Sequence, residues 1–320
     1  MENPYMKSEK IKKTADALVE NVGRVIYGKE QKIRYIVTSL LCGGHVLLDD
    51  IPGTGKTNLA KALARSMDAD CKRIQFTPDL LPSDISGINF YNQKENEFVF
   101  RRGPLFTNIV IADEINRTTP RTQSALLEAM AESQATIDGV SYPLARPFFV
   151  IATQNPIESQ GTFPLPEAQV DRFFMKLSLG YPEKNDEKRM MEQYVRTSPL
   201  DSLKAVCSKE ELLEASASVA DIEVSDPIRD YVLALITETR ENERTRWGAS
   251  PRGTLALMRA AQAWAGMQGR EYVIPDDVKA VAVPVLSHRI VSRSQNAIRL
   301  SESNENIIEY ILDKVPAPIE

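Results

Sequence analysis

One short stretch constrains this chain more than any other: Pro52-Gly53-Thr54-Gly55-Lys56-Thr57. It follows a buried-looking run, His45-Val46-Leu47-Leu48. After it, Leu59, Ala60, Leu63, Ala64 and Met67 recur at helical spacing. A glycine loop between a strand and a helix lets backbone N–H groups converge on an anion, with a lysine and a hydroxyl beside them. That is the grammar of a phosphate-binding P-loop. Lys56 then reaches the β- and γ-phosphates of a nucleotide, and the Thr57 hydroxyl reaches a Mg²⁺ ion. Pro52, Gly53, Thr54, Gly55 and Asn58 complete the expected contact set. The pattern departs from GxxxxGK[ST] at one position, where Asp50 replaces the first glycine.

The rest of the first half repeats the strand-then-helix rhythm. Arg73-Ile74-Gln75-Phe76, Ile109-Val110-Ile111-Ala112, Phe148-Phe149-Val150-Ile151-Ala152 and Phe174-Met175-Lys176-Leu177 read as strands. The runs at 109 and 148 do not alternate, as expected for strands buried on both faces of a parallel sheet. Thr119 caps and Pro120 opens a helix bearing Leu126, Leu127 and Met130. An N-terminal helical stretch, 11–40, is broken near Val22-Gly23-Arg24 and Tyr27-Gly28-Lys29. Tyr181-Pro182-Glu183 marks a boundary, and everything beyond it looks helical. Helices are expected to start at Ser225-Asp226-Pro227, Ser250-Pro251 and Ile274-Pro275, with Pro284 kinking or ending the last. The fold class is α/β, a parallel sheet flanked by helices over 1–181, followed by a smaller all-α unit over 182–320.

Two strand tips carry polar residues that fit nucleotide chemistry. Ile109–Ala112 ends in Asp113-Glu114. Asp113 can hold Mg²⁺ through water, and Glu114 can polarise an attacking water. Alone, such a pair also fits a solvated turn; about sixty residues after a P-loop, it favours hydrolysis over kinase chemistry. Asn155 ends the next tip, Ile151-Ala152-Thr153-Gln154-Asn155-Pro156, where an open α/β sheet lines its ligand crevice. It can orient the water or contact the γ-phosphate, and read alone it equally fits a polar loop start stiffened by proline.

Composition narrows the rest. With 44 acidic against 39 basic residues the net charge is -5, which speaks against a protein built to grip nucleic acid. The run 238–246 reads as a solvated helix end. No apolar run reaches the roughly 18 residues of a membrane helix, and the first ten residues have no apolar h-region. Cys42, Cys71 and Cys207 form no CxxC pair and read as reduced core residues. His45 and His288 have no partners at metal-ligand spacing. Together these suit a cytoplasmic protein. No Asn-Lys-x-Asp follows the loop motifs, which disfavours a GTPase.

The motif order resembles that of AAA+ ATPases, and the detailed strings resemble the MoxR family. Those strings are Gly103-Pro-Leu-Phe106, Ala112-Asp-Glu-Ile-Asn-Arg117, Gln123-Ser-Ala-Leu-Leu-Glu-Ala-Met130, Ala152-Thr-Gln-Asn-Pro156, Leu165-Pro-Glu-Ala-Gln169 and Asp171-Arg-Phe173. The resemblance spans nearly the whole chain and implies an α-helical lid after the AAA+ domain. It implies that Arg172 is an arginine finger reaching a neighbouring subunit's nucleotide and that Arg252 is the sensor 2 arginine of the lid. Ile26, Tyr27 and Gly28 match the stretch that contacts adenine. Residues 79–102 correspond to a helix-2 insert and 132–147 to a β-hairpin turning at Asp138-Gly139. Both also fit plain surface hairpins. The implied activity is Mg²⁺-dependent ATP hydrolysis by a homo-oligomer, a hexameric ring, that remodels or activates a client protein. A von Willebrand factor A domain partner with a maturing metal site is one such client. A metal-chelatase or DNA-linked motor and a slow nucleotide-gated switch stand as alternatives.

Overall fold

The computed structural model describes residues 5–51, 53–155, 161–195, 198–293 and 303–318. Helices α1 (Tyr5–Gly23) and α2 (Glu30–Leu41) come first, then β1 (Val46–Asp49), α3 (Lys56–Ser66), β2 (Cys71–Gln75) and the short α4 (Pro82–Ser86). Next come β3 (Gly87–Asn92), β4 (Glu97–Arg102), β5 (Ile109–Asp113), α5 (Pro120–Glu132), β6 (Gln134–Ile137), β7 (Val140–Pro143), β8 (Phe149–Gln154), α6 (Glu167–Val170) and β9 (Met175–Leu177). The second half holds α7 (Lys184–Tyr194), α8 (Lys209–Ser218), α9 (Asp226–Glu241), β10 (Thr245–Trp247), α10 (Pro251–Met267), α11 (Pro275–Leu286), β11 (Val291–Ser292) and α12 (Asn304–Lys314).

Five parallel strands form the sheet in the order β2-β5-β8-β1-β9. The non-alternating apolar runs are sorted by the pleat into its two faces. Val46, Leu48, Ile109, Ile111, Phe149 and Ile151 join one core cluster with α1, α2, α3 and helices of the second half. Leu47, Val110, Ala112, Val150 and Ala152 join another with Ile74, Phe76, Leu126, Leu127 and Phe173. The edge strand β2 buries only Ile74.

The N-terminal helix binds the two halves together. α1 packs on α8 and α10 as well as on α2 and α3. Its contact with α10 is close: a Cβ on Gly266 would lie 2.8 Å from Ile11 Cδ1, so a larger residue there would have to push the Ile11 side chain aside.

Two antiparallel hairpins stand off the sheet. β3 pairs with β4, and β6 pairs with β7. The Asp138 (φ 50°) and Gly139 (φ 80°) turn has the two positive φ angles of a tight hairpin. Asn89 donates to Asp138 Oδ2 at 2.8 Å, tying one hairpin to the other.

Some details of the second half differ from the expectations. α11 continues two residues past Pro284 before a 3₁₀ turn at Ser287–Arg289. Pro284 has no N–H to offer the Ala280 carbonyl, and the Tyr35 hydroxyl of α2 donates to it instead, at 3.0 Å. The helices are joined by a two-stranded ribbon, β10 with β11. The 238–246 run is not simply a solvated helix end, because Thr239, Asn242 and Thr245 are buried and lead into that ribbon. Among the described residues no helix is long and apolar enough to cross a membrane.

Candidate functional site

At the end of β1 the chain turns through Gly53 (φ 86°) and Gly55 (φ 88°) and enters α3 at Lys56. Both torsions lie in the left-handed region that glycine adopts without strain. No side chain caps α3, so its first-turn N–H groups and the positive end of its dipole face outward, a ready anion site. Pro52 falls outside the described residues. The Lys56 ammonium donates to the Asp50 carbonyl at 2.9 Å. Asp50, at the usual glycine position, turns its carboxylate away from the loop. That carboxylate accepts from the Ser178 hydroxyl (2.8 Å), Leu179 N–H (2.7 Å) and Gly180 N–H (3.0 Å).

The tips of β5 and β8 form the facing wall. Gly53, Gly55, Lys56, Thr57, Asn58, Asp113, Glu114 and Asn155 line one cleft of about 410 Å³, joined by Arg73 and Gln75 from β2. Asp113 Oδ1 accepts from the Thr153 hydroxyl at 2.6 Å, and its Oδ2 pairs with Arg73 Nη2 at 2.6 Å. Glu114 sits in the left-handed region (φ 58°) and donates its N–H to the same Thr153 hydroxyl at 2.8 Å. Its Oε2 accepts from Gln75 Nε2 (2.8 Å) and pairs with Arg117 (3.2 Å). One hydroxyl on β8 thus orients both acidic residues. Asn155 is buried at the rim of the same cleft.

Arg73, Gln75 and Thr153 escaped the sequence reading. A signal existed for Gln75: it ends β2 in register with Asp113, and strand tips of a parallel sheet share one crevice. Strand adjacency, which the sequence does not state, was needed to use it.

Ile26, Tyr27 and Gly28 lie between the loop and the second half. Ile26 Cδ1 approaches within 3.7 Å of where a Gly55 Cβ would stand. The Tyr27 hydroxyl donates to Gln193 of α7, and Asp186 of α7 occupies the space a Gly28 side chain would need.

Arg172 and Arg252 do not line this cleft. Arg172 is exposed after α6, with Nη1 donating to the Leu127 carbonyl at 3.3 Å. Arg252, expected as the sensor 2 arginine and free to point back at a ligand, pairs with Asp171 at 3.3 Å and leaves its side chain 57% exposed. The cause is the docking of the α10 N-terminus, where the Ser250 hydroxyl also donates to Asp171 (3.1 Å). Arg289, buried after α11, holds the other Asp171 oxygen at 2.9 Å. Burial pulls the Arg289 pKa down to about 10, Asp171 opposing, so the guanidinium stays charged at neutral pH.

Comparison with known proteins accords with this geometry. Residues 45–175 match the AAA family described as ATPases associated with various cellular activities, and residues 237–311 match an AAA lid domain. The chain is 40% identical over 314 residues to chaperone MoxR1 of Mycobacterium tuberculosis, covering 95% of this chain and 82% of that protein. It belongs to the MoxR family of AAA+ ATPases. The uncharacterised protein YeaC of Bacillus subtilis is 47% identical over 302 residues, 94% of each chain. A crystal structure from Cytophaga hutchinsonii, of a protein provisionally described as an ATPase, superposes with a TM-score of 0.90 at 40% identity over 98% of each chain. The parallel sheet and helical lid are therefore those of a MoxR ATPase.

Proposed function

We propose that this MoxR protein hydrolyses ATP in the cleft between the α3 loop and the tips of β5 and β8, and uses the cycle to remodel a client protein. The observation that carries the reading is the convergence of Gly53, Gly55, Lys56, Thr57, Asn58, Asp113, Glu114 and Asn155 on one cleft. The residues fit both groups. The uncapped α3 N-terminus suits phosphate, and the Thr57 hydroxyl and Asp113 carboxylate that line the same cleft are oxygen donors of the kind a hard divalent cation takes.

Lys56 leaves the Asp50 carbonyl to hold the β- and γ-phosphates, with Thr54 and Asn58 alongside. Thr57 and Asp113 would hold Mg²⁺, which would supply positive charge to offset that of the phosphates. Glu114 takes the proton of the attacking water, and Asn155 orients that water. Ile26–Gly28 form the adenine side. Because Arg172 and Arg252 flank Asp171 away from their own cleft, both act on a neighbouring subunit's nucleotide, and the working form is a ring, a hexamer by family resemblance. The client is a protein, with a von Willebrand factor A domain the partner that resemblance favours; the net negative charge makes nucleic acid a poor one.

A slow nucleotide-gated switch is the second reading. Glu114 held by both Gln75 and Arg117 favours it, since a carboxylate engaged by two partners is less free to turn toward an attacking water.

ATPase rate against protein concentration, with Glu114→Gln and Arg172→Ala alongside, tests the proposal. Specific activity rising with concentration and falling roughly a thousandfold in the Arg172 variant supports it. Mixing the two inactive variants should restore part of the activity, because some interfaces regain both an intact Glu114 and an intact Arg172. A flat rate indifferent to Arg172 removes the shared site and leaves the switch.

A further inference from the structure

Asp50 presents two faces of one residue to two parts of the molecule. Its carbonyl accepts the Lys56 ammonium inside the phosphate loop, while its carboxylate accepts three hydrogen bonds from Ser178, Leu179 and Gly180. Those three residues follow β9 directly and lead through Tyr181 into α7. The residue is only 3% exposed, so its carboxylate depends on these donors for the solvation water would give. Charge-assisted bonds of 2.7–3.0 Å make a stiff joint. The Asp50 N–H also donates to Gln154 O at 3.3 Å, next to Asn155 on the β8 tip.

A glycine at this position would leave the loop mechanically independent of the chain beyond β9. Asp50 removes that independence. The connector is anchored a second time at the adenine side, where Lys29 Nζ donates to Tyr181 O at 2.7 Å. Phosphate arrival draws the ammonium away from the Asp50 carbonyl, and any movement of the residue 50 backbone is transmitted through the carboxylate to 178–180.

We propose that Asp50 is a positioning residue that couples occupancy of the phosphate loop to the connector 178–183 and thence to α7. It rests on the nucleotide reading above and specifies how the α/β part signals to the helical part.

Residue-resolved amide hydrogen exchange on the full chain, with and without the Mg²⁺ complex of the β,γ-imido analogue of ATP, tests it. The Leu59 amide, bonded to Gly55 O in α3, reports loop occupancy. The Leu179, Gly180 and Glu187 amides report the connector and the first turn of α7. With the analogue at 100 times its Kd, openings incompatible with binding are suppressed by up to about a hundredfold. The expected result in the unaltered protein is slowing of roughly tenfold or more at Leu59 and at all three connector amides, with the Ile311 region of α12 unchanged. In Asp50→Gly, Leu59 should still respond while Glu187 no longer does. In Asp50→Asn, which keeps one acceptor oxygen for Ser178 and Gly180, the response should persist at Gly180 and vanish at Leu179.

A Leu59 response without a connector response in the unaltered protein overturns the coupling. So does a Glu187 response that survives in Asp50→Gly, which would route the signal through Gly28 and Asp186 instead. Absence of any Leu59 response overturns the nucleotide reading itself. Should Asp50→Gly not fold, the unaltered protein and Asp50→Asn decide the matter.

Discussion

Arg289 places Nε 2.9 Å from Asp171 Oδ1, and its two terminal nitrogens donate to the carbonyls of Asp171, Phe173, Phe174 and Val285. All five guanidinium N–H groups are thus used, and the segment so gripped contains Arg172. Asp171→Ala leaves the buried cation without its counter-ion and should lower stability by about 3–5 kcal/mol. Adding Arg289→Met to that variant should recover part of the loss. Denaturant midpoints of the two variants and their combination measure the coupling; simple additivity would mean the pair acts independently.

Glu114 is held by Gln75 on the neighbouring strand. Removing that donor frees the carboxylate to turn toward an attacking water without altering its backbone, which Thr153 fixes. Gln75→Leu should therefore raise basal ATP turnover roughly two- to tenfold, the range that one hydrogen bond of ~0.5–1.5 kcal/mol spans. Steady-state hydrolysis at saturating nucleotide checks it, and a fall in turnover would show that Gln75 aims Glu114 rather than restraining it.

His45 lies under the sheet, accepting from Val150 N–H (3.1 Å) and bonding Met130 O (3.0 Å). Burial lowers its pKa from 6.5 to about 4, and burial also holds His288 well below 6.5. Between those values the unfolded chain binds more protons than the folded one, so stability is full above pH 6.5 and falls as the pH drops toward 4. His45 alone should cost about 2 kcal/mol by pH 5. Urea midpoints from pH 7.5 to 5 measure the slope, and His45→Gln, which retains a donor and an acceptor, should flatten it.

The Tyr35 hydroxyl supplies the donor that Pro284 cannot. Tyr35→Phe should cost about 1 kcal/mol by thermal denaturation. In a Pro284→Ala background, where the helix regains its own N–H, the same change should cost clearly less.

Much of the site was readable because it is local. The Gly53–Thr57 loop and the strand ends at Asp113 and Asn155 each sit beside a continuous apolar run, and buried parallel strands announce themselves that way. What could not be read depends on partners distant in sequence. Nothing near Arg252 says that Asp171 would hold it, and nothing near Asp50 names Ser178, Leu179 and Gly180. The direction of a side chain is settled by packing of elements whose adjacency no local pattern encodes. The two ribbon strands in the helical half were missed for a related reason: at three and two residues, they are too short to show a period.

The two faces of the central sheet also have different histories during synthesis. The cluster containing Leu47, Val110 and Phe173 has all its members once Phe173 has emerged from the ribosome. The opposite cluster cannot close until α10 arrives, because Ile11 of the first helix waits for Gly266. At about 5–20 residues per second, the 93 residues from Phe173 to Gly266 take roughly 5–20 s. For that interval the nascent chain carries one finished sheet face and one unfinished apolar face, a period in which a protein of this chaperone-like family is itself the chain most in need of protection.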